Sequence, residues 1–165
     1  MFHMLDDMHS AAGGSEGQTA AVDLTATLLV EEFLELLQAK DIDRAAERLS
    51  TDIEYENIGL PTVRGRERVR RLLHATLGRA GAGFEVYVHA SSENGATVLT
   101  ERTDVLRWGR LRVQFWVCGR FDVRGSEIVL WRDYFDHLSV AAATGRGLLG
   151  IFLPAARAKP PASRI

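Results

Sequence analysis

An α+β domain is the fold class that this sequence predicts, on two observations. The apolar period is helical through the first half of the chain and becomes two from Phe84 onward. The period-two segments then follow one another across short Gly-containing breaks, as hairpins do, instead of alternating with helices. A curved, cone-like, mixed but mostly antiparallel sheet wrapped around a pocket, with the N-terminal helices packed on it, satisfies both.

Each element has its own signal. Residues 1–20 are small, polar and rich in Gly and Ser, which predicts a disordered N-terminal tail. A single domain is expected over 21–153, followed by a flexible tail, PAARAKPPASRI, over 154–165. Within DLTATLLVEEFLELLQAK the residues Leu24, Leu28, Phe33, Leu34 and Leu37 form a helical stripe. A second helix follows at DIDRAAERLS, where Asp41 can cap the start and Ile42, Ala45, Ala46 and Leu49 face inward. The segment DIEYENI reads as extended, with Ile53, Tyr55 and Asn57 on one face. Turn residues in GLPTVRG lead to a third helix, RERVRRLLHATLG, closed by Gly78, with Val69, Leu72 and Leu73 inward. Four strands in a meander complete the sheet: FEVYVHA, ATVLTERTDVLRW, LRVQFWVCGRFDV and EIVLWRDYF. The apolar run LLGIFLP near the end is expected to close the pocket mouth or to lie at a dimer contact.

Bulk composition narrows the function. With 165 residues, 46% hydrophobic and 25% charged, the chain can bury a core as one globular domain. A net charge of −2 gives no reason to expect nucleic acid, which needs a basic excess on some face. The densest basic run, RGRERVRR, is interrupted by Glu67 and carries inward apolar residues, so a solvated helix surface explains it better. The single cysteine, Cys118, excludes an intrachain disulfide and reads as an inert thiol. His3, His9, His74, His89 and His137 lack ligand spacing, so neither a metal nor a cofactor is expected. No apolar stretch approaches the roughly 20 residues needed to span a bilayer, and no secretory signal is evident, so a cytoplasmic location is expected.

Strand phase carries the functional reading, because residues i and i+2 share one side of a sheet. In ATVLTERTDVLRW, Val98, Thr100, Arg102, Asp104, Leu106 and Trp108 share a face, which sets an arginine and an aspartate among large apolar residues. In EIVLWRDYF the same holds for Val129, Trp131, Asp133 and Phe135. A structural ion pair between Arg102 and Asp104 is the plain explanation when those two are taken alone. Three strands that each present polar groups on an apolar face favour chemistry, since burying an unpaired carboxylate is costly.

The stretches YENIGLP…GRE, TERTDVL and WRDYFD, in that order, resemble the motifs of the limonene-1,2-epoxide hydrolase family from about residue 27 to Asp136. The resemblance implies the cone-shaped nuclear-transport-factor-2-like fold, a homodimer, and an enzyme that adds water to an epoxide in one step. It implies Asp104 as acid, Asp133 as base, Arg102 as the bridge between them, and Tyr55 and Asn57 as holders of the attacking water. Spacing alone does not distinguish acid from base. Epoxide opening needs both a proton donor and a base, so one protonated and one ionised carboxyl suit it. Trp108, Trp131, Leu106, Val98 and Phe135 would line a pocket for an apolar epoxide, terpene-like, sterol-like or another lipid. Two other readings fit the fold: a ketosteroid-isomerase-like or polyketide-cyclase-like proton-transfer enzyme, and a non-catalytic dimeric module that binds an apolar ligand. The chain departs from the family pattern after Asp136.

Overall fold

The computed structural model describes residues 16–156, 158, 159 and 161; residues 1–15 and most of the expected C-terminal tail lie outside the described residues. The elements are α1 (Glu16–Gln38), α2 (Ile42–Glu47), β1 (Leu49–Asn57), β2 (Val63–Arg64), α3 (Arg66–Thr76), β3 (Ala82–Asn94), β4 (Thr97–Trp108), β5 (Leu111–Arg124), β6 (Glu127–Tyr134) and α4 (His137–Phe152). Helix α1 thus starts inside the segment assigned from composition to the tail.

The strands form one open sheet in the order β2-β1-β6-β5-β4-β3. The expected meander β3-β4-β5-β6 is antiparallel throughout. The parallel pairing of β1 with β6 makes the sheet mixed. Its two-residue Gly-Arg turn gives the β4–β5 hairpin an uninterrupted register, Trp108 opposite Leu111 and Thr97 opposite Asp122. Helix α1 lies on the inner face, where Phe33 meets Trp131 edge-on at 5.0 Å and Phe121 at 6.3 Å. Val30, Phe33, Leu34 and Leu37 of α1 join Leu49, Ile53, Val69, Val98, Phe121 and Ile128 in one core. Gly78 closes α3 as expected, its N–H donating to the carbonyls of His74 and Leu73.

Four local expectations are corrected. Leu28 is 62% exposed, because Ala26, Leu29 and Val30 turn inward in its place. Asp41 makes no capping hydrogen bond and pairs with Arg44 instead. Leu72 lies at the surface, since Val69 and Leu73 fill the inward face of α3. In β6 an irregularity between Leu130 and Ile128 shifts the phase, so Ile128 enters the core where strict alternation puts Val129. The apolar C-terminal run forms the end of α4, which packs beside the part of β5 that extends past the end of β6. Its buried residues are Ala143, Gly147 and Gly150.

Candidate active site

β4 and β6 each bring one carboxylate to the inner face, and one guanidinium joins them. Arg102 Nε and Nη2 donate to the two oxygens of Asp104 at 2.9 and 3.2 Å, and Nη2 also donates to Asp133 Oδ1 at 2.7 Å. Nη1 donates to Thr100 Oγ1 at 3.1 Å. Arg102 is 0% exposed and each aspartate 5%. Burial of such charges is tolerated because nearly every donor of the arginine finds an acceptor. The arginine is offered to the carboxylates at fixed orientation by its fork geometry, which a lysine does not share.

Room for the guanidinium comes from β5. Gly119 faces Thr100 and Asp133 in the neighbouring strands. A Cβ there would lie 2.0 Å from Arg102 Nη1 and 2.7 Å from Thr100 Oγ1. The Phe121 ring, 5.8 Å from Arg102 Cζ, covers the arginine from the core side. Neither Gly119 nor Phe121 was singled out from sequence. The signal for both was available in the Gly-Arg hairpin turn, whose length sets which β5 residues share the inner face with Arg102.

The parallel partner strand supplies the remaining polar groups. Asn57 is opposite Asp133 and Tyr55 is opposite Trp131. Asn57 Nδ2 donates to the Tyr55 hydroxyl at 2.7 Å, which leaves the hydroxyl proton uncommitted among the described residues. The Ile58 N–H donates to the Asp133 carbonyl at 3.0 Å and holds the end of β1 against β6.

The surroundings separate the titrating groups. Burial pushes the Asp104 carboxyl up to about 6; Arg102 opposes this and the nearby charge of Asp133 adds to it. Burial disfavours the charge on Arg102, yet Asp104 and Asp133 together hold it above its ordinary value, so it remains a cation. Burial, with the charge of Asp133, raises Tyr55 well above the usual phenol range, so it remains a neutral hydroxyl.

The expected lining residues divide into three groups. Trp131 lies on the floor, its ring 4.1 Å from that of Tyr55, and its Nε1 is buried with no partner among the described residues. Phe135 sits beyond β6 with its ring edge-on to Phe115 at 5.7 Å, and Phe115 is the strand partner of Asp104. Val98 is wholly enclosed beneath the network, packed in the core, and Leu106 packs at the edge of that core. Trp108 is 40% exposed at the hairpin end of β4, two residues beyond Leu106.

Comparison with known proteins identifies the family. The model of the limonene-1,2-epoxide hydrolase catalytic domain matches residues 24–146. Epoxide hydrolase EphG of Mycobacterium tuberculosis is 47% identical over 129 residues, which covers 78% of this chain and 85% of that protein. A solved structure of an M. tuberculosis LEH-like epoxide hydrolase superposes with a TM-score of 0.79 at 43% identity, over 84% of this chain and 97% of that one. An NTF2-like protein from Cytophaga hutchinsonii, at 22% identity and a TM-score of 0.57 over 67% of this chain and 89% of that one, shares the fold. The chain belongs to the limonene-1,2-epoxide hydrolase family and is an enzyme of the epoxide hydrolase class.

Proposed function

We propose that this enzyme opens an epoxide on an apolar molecule, terpene-like, sterol-like or another lipid, to a vicinal diol in one step without a covalent intermediate. The observation that carries the reading is the Arg102 bridge between Asp104 and Asp133 in a buried site. Asp104, raised towards neutrality by burial, gives its proton to the epoxide oxygen as the C–O bond breaks. Water attacks the ring carbon and passes a proton to Asp133, whose Oδ2 accepts no hydrogen bond among the described residues. The water also accepts from the Tyr55 hydroxyl and donates to the Asn57 carbonyl oxygen, which leaves one lone pair for the carbon. One proton stays on the carboxyl pair throughout and returns to Asp104 before the next turnover. The apolar rings of Trp131, Phe115 and Phe135 near the carboxylates favour a hydrocarbon-rich substrate.

A homodimer belongs to the same reading. Trp116, 51% exposed, and Tyr134 flank Cys118 on the outer face, with Glu101, Arg120 and Arg132 beside them. Such a surface of mixed sign with aromatic centres is self-complementary, as a two-fold interface requires. Sedimentation of the purified chain at twice the monomer mass, lost on Trp116→Glu, is the expected result.

Turnover of a panel of apolar epoxides in oxygen-18 water tests the chemistry. Diol with one labelled oxygen after a single turnover, and no label in the protein, is expected. Label in the protein would replace direct attack by an ester intermediate. Isomerisation of a β,γ-unsaturated ketone with no diol from any epoxide would replace hydrolysis by proton transfer.

A further inference from the structure

The turn that follows Asn57 is held from two sides by one short stretch of chain. Asn57 ends β1, and the Leu60 N–H donates to its carbonyl at 2.9 Å, so residues 57–60 form a tight turn. Gly59, third in that turn, has a φ of +88°, the left-handed value that a type II turn requires and that glycine adopts without strain. Type I and type II turns differ by a flip of the central peptide, here the one between Ile58 and Gly59. A partner for the Ile58 carbonyl therefore decides which way that peptide faces.

His137 is that partner. Its Nε2 lies 2.8 Å from the Ile58 carbonyl oxygen, and because a carbonyl only accepts, that nitrogen carries the hydrogen. The ring also fills the space over Gly59, where a Cβ would lie 2.6 Å from Nε2. The Ile58 N–H is spent on the same stretch, donating to the Asp133 carbonyl at 3.0 Å. Both backbone groups of Ile58 are thus tied to the segment Asp133–His137, one at each end. That segment is itself fixed. Asp136 accepts from the N–H groups of Leu138 and Ser139 and from the Ser139 hydroxyl, which caps α4 and sets His137 as its first residue. The Phe135 ring meets the His137 ring edge-on at 5.1 Å and the Phe115 ring at 5.7 Å, so the imidazole ends an aromatic row that begins at the strand partner of Asp104.

We propose that His137 is a positioning residue for the hydrolysis. It acts through the turn and not on the reacting atoms: the bond to Ile58 locks the turn, and the turn fixes Asn57, the last residue of β1, opposite Asp133. The inference rests on the reading in which the Asn57 side-chain oxygen accepts from the attacking water, and it adds to that machinery a group that lies beyond both strands. Alignment is what such a bond supplies, since a shift of about 1 Å in a positioning group already costs a large part of the rate. The plain alternative, that the bond only steadies the start of α4, is met by the Asp136 cap, which does so without the imidazole.

Steady-state kinetics of the full chain on an apolar epoxide that the parent hydrolyses is the test. His137→Leu keeps the bulk and removes the donor, and is expected to lower kcat by about tenfold with KM within about twofold. His137→Gln, whose amide can donate to the same carbonyl, is expected to return kcat to within about threefold of the parent. Circular dichroism of both variants is expected to match the parent, since His137 is exposed. In an Asn57→Ala background, itself impaired, His137→Leu is expected to lower kcat by less than about twofold further, because the group it positions is gone. An impaired Asn57→Ala beside a parent-like His137→Leu overturns the proposal and leaves the role of Asn57 standing; a parent-like Asn57→Ala overturns both. Equal losses in His137→Leu and His137→Gln, a raised KM at unchanged kcat, or a fully additive loss in the double variant each overturn the proposal as well.

Discussion

The chain carries the pattern Arg-x-Asp-Val twice, at Arg102–Val105 in β4 and at Arg120–Val123 in β5, and folds the two copies onto opposite faces of neighbouring strands. Their local geometry is nearly the same. Arg102 reaches Asp104 through Nε and Nη2 at 2.9 and 3.2 Å, and Arg120 reaches Asp122 through the same two nitrogens at 3.0 Å each. Their surroundings differ in every other respect. The inner pair is sealed in the core and shared with a third charged group, Asp133; the outer pair is partly solvated and, among the described residues, receives only the Thr97 hydroxyl. Burial raises the Asp104 carboxyl, whereas the main effect resolved at the outer pair is the hydrogen bond of Asp122 that raises Arg120. The same four-residue pattern thus gives a reactive group on one face and a surface ion pair on the other, and the difference lies in desolvation and in the third partner.

Three experiments break or sharpen this contrast. The largest effect is expected on turnover: Asp133→Asn or Asp104→Asn lowers kcat by about a thousandfold or more, while Asp122→Asn stays within about twofold in the same assay. Equal losses at Asp122 and Asp104 would show that the pattern acts through the sheet and not through its face. Next in size is stability in urea. Arg102→Met strands two buried carboxylates and is expected to cost about 3–5 kcal/mol, against less than about 1 kcal/mol for Arg120→Met.

The smallest effect is in the pH profile. Asp104 titrates in the folded protein near 6, above its ordinary value of 3.8, so the folded chain keeps a proton that the unfolded chain has released. That stabilising contribution is complete below about pH 4 and is lost as pH rises through about 6, on the order of 3 kcal/mol. Denaturation midpoints measured across that window are expected to fall with rising pH in the parent and to flatten in Asp104→Asn, but not in Asp122→Asn. In the same window kcat/KM is expected to decline with unit slope above pH 6 as the acid form of Asp104 disappears.

Much of this contrast was readable from the alternation of strands. The phase of β4 put Arg102 and Asp104 together on an apolar face, and the motif containing Asp133 placed the second carboxylate opposite them. Alternation fails wherever a strand loses a residue to irregular pairing. At Val129 the shift in β6 exchanges it with Ile128, an event that nothing in the local residues announces. It fails again at strand ends: Trp108 has the parity of the inner face, but parity does not say where burial stops. Helix α4 was illegible for another reason. Its buried stripe is Ala and Gly and its large apolar residues face outward, so hydrophobic period points to the wrong side.

Gly119 and Arg102 stand on different strands, but the space of one is the absent side chain of the other. They therefore constitute a single hereditary unit. A lineage that replaced the arginine would release the glycine to vary, and one that placed any larger residue at 119 would have to abandon the arginine first. The same coupling gives the protein engineer a route to redesign, since a shortened residue at 102 and an enlarged one at 119 would exchange a charged floor for an apolar one while conserving volume.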